Sequence, residues 1–196
     1  MKDVVTNLTM YKIGWVACVL GAASGQPWIG VVAVAVACVI HIASAHTKSK
    51  TVLLLVSAAL LGLAWESFMV FSGWLDYSVS GHTGNIAPYW IVALWVLFAT
   101  TLNVGFKWLK GRLVVATLLG AIGGPLAFAA GQRAGAVEFG HPVNSLLAVG
   151  LGWAVLMPLL VVLARNLNGH ATAEPSLMQN QSSENDMLGE ASISAR

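Results

Sequence analysis

Between Thr9 and Ala164 the chain is a succession of apolar runs, each long enough to cross a bilayer, with only short polar breaks between them. A bilayer's hydrocarbon core is about 30 Å thick, and a helix rising 1.5 Å per residue needs about 20 apolar residues to span it. In that solvent every backbone N–H and C=O must be paired within the segment, so such runs read as helices. Six can be distinguished: about Thr9 to Gly25, Trp28 to Ala45, Val52 to Trp74, Ala87 to Phe106, Leu113 to Gly131 and Val143 to Ala164. Gln26-Pro27, His46 to Lys50, Asp76 to Asn85, Lys107 to Arg112 and Gln132 to Pro142 separate them, and glycine, proline or charge marks every break. The expected fold class is all-α: a polytopic membrane protein, a six-transmembrane-helix bundle.

Composition agrees. Charged residues make up 9% of the chain and hydrophobic ones 57%, whereas soluble domains are about a quarter charged. A net charge of +2, with no basic stripe carrying interleaved aromatics, argues against a nucleic-acid partner. Cys18 and Cys38 both lie in apolar runs and read as packed small hydrophobes, neither a disulfide nor a metal site. The first run has the basic flank of a secretory signal, but another long run follows at once, so it is expected to remain in place. The bundle is expected over residues 1–167. The segment 168–196, with "QNQSSEND", offers little apolar surface and is expected to be a disordered cytoplasmic tail.

Lysine and arginine set the orientation, because short loops that stay cytoplasmic carry the excess. With six crossings, Lys2, Lys12, Lys48, Lys50, Lys107, Lys110, Arg112, Arg165 and Arg196 fall on one side, and only Arg133 on the other. Both termini are therefore expected in the cytoplasm. A faint echo of Leu20-Gly21-Ala22 in Leu119-Gly120-Ala121 lies at a different depth and indicates no inverted repeat.

Glu66 is the residue that most invites a functional reading, since no other charge occurs from Thr51 to Leu75. It is expected roughly 5 Å to the outer side of the midplane. Ala59, Gly62 and Gly73 share its face, a small-residue stripe that points it into the bundle. Three roles stay open: a neutral tie between helices, an ion pair with Arg133, or the floor of an outward-facing pocket. The last would place Gln26, Trp28, Arg133 and Glu138 in a polar vestibule above Glu66.

Asp76, Tyr77, His82, Asn85, Gln132 and His141 join the outer polar group, without the spacing of a metal site. Toward the cytoplasm, Asn103 is the polar residue expected to have a specific interhelical partner, and His41 is expected to be a packing residue. Pro125, after Gly123-Gly124, predicts a bend in the fifth run. Trp28, Trp74, Trp90 and Trp108 read as interface anchors. No nucleophile or metal set accompanies Glu66, so no catalytic residue and no cofactor is assigned.

Gly14-Trp15, Gly25-Gln26-Pro27-Trp28, Leu94-Trp95, Phe98 to Asn103, Gly123-Gly124-Pro125-Leu126 and Gly131-Gln132-Arg133 occur in an order that resembles an uncharacterised proteobacterial membrane family, domain of unknown function 2878. The resemblance covers about Tyr11 to Leu163 and leaves the tail outside. It implies a multi-pass protein of the bacterial inner membrane, an acidic residue at the position of Glu66, and a link to membrane-lipid modification through neighbouring genes for cyclopropane-fatty-acid-synthase-like enzymes. The leading expectation is a protein that binds or moves a lipid or small amphipathic molecule. The alternatives are an accessory scaffold of a lipid-modifying enzyme and an intramembrane enzyme using Glu66.

Overall fold

A computed structural model describes residues 2–170. They form six helices: α1 (Lys2–Ala23), α2 (Trp28–Ala43), α3 (Lys48–Phe71), α4 (Tyr89–Leu102), α5 (Leu113–Arg133) and α6 (Pro142–Asn166). Four of these, α1, α3, α5 and α6, are long and apolar enough to cross a membrane. The other two are shorter than the runs that predicted them. With 16 and 14 residues, α2 and α4 reach only about 24 and 21 Å.

Local hydrogen bonding accompanies the ends of both helices. Ser44 Oγ donates to the Ile40 carbonyl at 2.8 Å, just past the end of α2. Pro88 fixes the start of α4, and beyond its end the N–H groups of Val104 and Phe106 turn back to the Thr101 carbonyl at 3.2 and 2.8 Å. Pro125 lies inside an uninterrupted α5.

The short α4 is the centre of the packing. It contacts α1, α2, α3 and α6, while α5 pairs chiefly with α6. At one end Asp3, His46, Lys107, Lys110 and Asn168 gather, so the lysine-bearing breaks lie together. At the other, β1 (Leu75–Asp76) and β2 (Glu138–Phe139) form a minimal antiparallel pair, with Leu75 opposite Phe139 and Asp76 opposite Glu138. Ser145 Oγ, near the start of α6, strengthens the junction by donating to the Trp74 carbonyl at 2.6 Å.

The outside of the bundle is apolar: Val36, Leu60, Ile122 and Leu151 stand exposed in the middle of their helices. So wide an apolar surface would drive association in water, whereas hydrocarbon is its natural solvent. Residues 168–170 do not leave the fold at once. The Thr47 N–H donates to the Gly169 carbonyl at 2.9 Å, and the His170 ring lies 4.4 Å from that of His41. The remainder of the expected tail, 171–196, falls outside the described residues.

Candidate functional site: an aromatic cavity braced by Glu66

Gly62 lies one turn before Glu66 on α3. Having no side chain, it lets the indole of Trp95 come directly against the helix, and a Cβ there would collide with the ring. That approach brings Trp95 Nε1 to Glu66 Oε1, to which it donates at 3.0 Å. Past the end of α3 the chain turns through Gly73, whose φ of 71° lies in the left-handed region. Gly73 is therefore a turn residue, not part of the helical stripe the sequence predicted. The turn and β1 return Tyr77 toward α3, and its hydroxyl donates to Glu66 Oε2 at 3.0 Å.

Glu66 is 0% exposed and ties together α3, the connector after it, and α4. Both carboxyl oxygens are served by neutral donors, and among the described residues no cation pairs with it. Arg133 stands exposed at the end of α5. An ion pair would have required that guanidinium to enter the hydrocarbon, where an uncompensated charge is costly. The indole and the phenol do the same bonding without that penalty.

The residues that Glu66 holds are walls. Tyr77 meets Trp90 edge-on at 5.5 Å and 86°. Trp95 stacks on Trp153 of α6 at 4.7 Å and 22°, and Phe98 abuts Trp153 at 5.4 Å and 89°. Together with Tyr11 and Trp15 of α1 and the Gly120, Gly123, Gly124 and Ala127 face of α5, they enclose a cavity of about 290 Å³. Its surface is mostly aromatic and aliphatic; Glu66 belongs to the lining, fully buried and with its carboxyl oxygens taken up by Trp95 and Tyr77. Leu119, Gly123 and Ala127, a stripe at four-residue spacing, line the cavity and are also exposed, so it opens along α5.

The vestibule expected above Glu66 is not assembled around it. Gln26 and Trp28 are exposed at the α1–α2 turn, Trp28 by 59%. Glu138 is exposed on β2, opposite Asp76. None of these, nor Arg133, lines the cavity. Tyr77 and its connector close Glu66 off from that side. Asn103 lies buried at the opposite end of α4, where its Nδ2 donates to the Leu167 carbonyl at 3.2 Å.

Three wall residues were not recognised from sequence. Tyr77 reads in the sequence as part of the polar interface and Trp90 as a membrane-edge anchor, while Trp95 stands only within the motif Leu94-Trp95. Trp90 is in fact 2% exposed. A signal for Trp95 did exist: an indole N–H in the middle of an apolar run needs a buried acceptor, and Glu66 is the one carboxylate within the neighbouring run.

A family model described as "Protein of unknown function (DUF2878)" matches residues 4–159. No curated protein and no solved structure matches the chain.

Proposed function

We propose a function from the premise that the chain belongs to DUF2878, a family of proteins of unknown function: it is a six-span inner-membrane protein that binds a small amphipathic molecule, such as a single lipid-like chain, within the bundle. The observation that carries this reading is the aromatic cavity opening along the exposed Leu119, Gly123 and Ala127 stripe, on a surface suited to hydrocarbon. Ligand pockets run from about 300 to 1,000 Å³, so a cavity of about 290 Å³ suits one short chain or a compact amphiphile better than a whole two-chained phospholipid. Apolar burial would supply the affinity, at about 0.8 kcal/mol per buried CH₂ group.

The buried indole N–H groups of Trp90 and Trp153, both in the wall, have no acceptor among the described residues. A ligand oxygen that bonds either one, with the indole turned toward the cavity, removes an unmade hydrogen bond worth about 1–3 kcal/mol, which favours an amphiphile over a pure hydrocarbon. Glu66 acts here by fixing Tyr77 and Trp95, not as an acid or base. In the membrane we orient the chain with both termini on the cytoplasmic side. Reporter fusions after Lys110 and after Glu138 should then report opposite sides, and the same side for both would refute the topology.

The binding claim is tested by tryptophan fluorescence. The full chain in phospholipid nanodiscs is titrated with a fatty alcohol brominated in mid-chain. Quenching that saturates at one probe per chain is expected, because four tryptophans, Trp15, Trp90, Trp95 and Trp153, line the cavity. Quenching that only follows the probe's concentration in the bilayer would contradict a site.

A further inference from the structure

At the end of the bundle that gathers the lysine-bearing breaks lies a second cavity, of about 730 Å³, with a markedly polar wall. The first turns of α1, the last turn of α2, the end of α4 with the turn after it, and residues 168–170 enclose it. Lys107, Lys110, His41, His46 and His170 all contribute to the wall, against the single acidic side chain of Asp3.

His41 and His170 lie ring against ring, 4.4 Å apart at 31°. His41 is only 6% exposed, and its Nε2 and both ring nitrogens of His170 have no partner among the described residues. Buried polar atoms left without a partner mark places where an ion or a water belongs. The electrostatics point the same way. Burial draws Lys110 below the ordinary lysine range and Lys107 adds to this. Burial likewise lowers His170; the His41 backbone beside it acts the other way, and His46 and Lys110 lower it further. Positive groups that disfavour one another in this manner are relieved by a shared anion.

We propose that this cavity binds a phosphate-type oxyanion, with Lys107 and Lys110 supplying charge and the His41, His46 and His170 rings supplying N–H donors. Lysine serves phosphate as a point charge, and a protonated imidazole donates from both nitrogens. Inorganic phosphate and the phosphomonoester headgroup of a lipid share this chemistry. The site is carried by different residues from the aromatic cavity, so either can fail without the other.

The test uses the full chain in nanodiscs of phosphatidylcholine, titrated with inorganic phosphate against chloride at constant ionic strength. A saturable rise of several degrees in the unfolding midpoint is expected, together with shifts in the histidine ring resonances. Lys107→Gln with Lys110→Gln should weaken the response at least tenfold, and both positions lie outside the six α-helices, so the fold should persist. A parallel series in nanodiscs containing phosphatidate separates the two sources: a lysine-dependent rise only there assigns the site to a headgroup. No response to either form, or an equal response in the lysine variant, would overturn the proposal.

Discussion

Replacing Glu66 with alanine is expected to destabilise the bundle by about 2–6 kcal/mol, because two buried donors each lose their acceptor at about 1–3 kcal/mol apiece. The Trp95 indole and the Tyr77 hydroxyl are both buried and both bonded to Glu66. Neither has water to turn to in hydrocarbon. Glu66→Gln should cost about half as much, since the amide oxygen retains one donor while its NH₂ faces the other. Glu66→Leu combined with Tyr77→Phe and Trp95→Phe should recover much of the loss, because removing a donor and its acceptor together leaves nothing unpaired. Reversible unfolding in mixed detergent micelles measures the series. Equal stability of the alanine variant and the parent would show that the tie contributes nothing.

Gly120→Leu is expected to be at least as damaging, for a reason of packing alone. A Cβ on Gly120 would strike the Trp153 carbonyl oxygen and come within 2.7 Å of Met157 Cβ. Backbone cannot swing aside, so α5 would have to move off α6, its principal neighbour. Overpacking costs about 1–3 kcal/mol where side chains can adjust, and this contact should reach or exceed the top of that range. Gly123→Leu, three residues on, is the matched control, since a Cβ at Gly123 meets nothing within 4 Å. Thermal midpoints by size-exclusion chromatography should fall sharply for the first and hold for the second. Similar midpoints would mean that α5 and α6 are not packed as described.

Much of the fold was legible because polar breaks between apolar runs leave helices few alternatives. The ends of α2 and α4 were not, because hydropathy cannot tell a residue facing lipid from one facing another helix. Most of α4's apolar length is buried against its neighbours, so it need not reach both membrane surfaces. The inward direction of Glu66 could be read from Gly62, whose bare backbone is what admits Trp95.

The partners of Glu66 could not be read in the same way. Tyr77 follows by 11 residues, past the end of the helix, and Trp95 by 29. No helical periodicity links such positions. Arg133 is the one basic side chain the sequence places on the side of Glu66, yet two neutral donors satisfy a buried carboxyl group without bringing a second charge out of water. The cavity itself combines residues from α1, α3, α4, α5 and α6 with the connector residue Tyr77, and only the folded chain assembles them.

The most direct test of the central claim returns to Gly123, where an added Cβ meets no atom within 4 Å and a larger side chain would stand at the opening of the cavity. Tryptophan quenching by the mid-chain-brominated fatty alcohol is compared between the parent protein and Gly123→Phe in identical nanodiscs. The account predicts saturable, one-to-one quenching in the parent, and its loss in a variant that keeps the parent's unfolding midpoint. Saturable quenching unchanged by Gly123→Phe, or no saturable quenching in the parent, would contradict it.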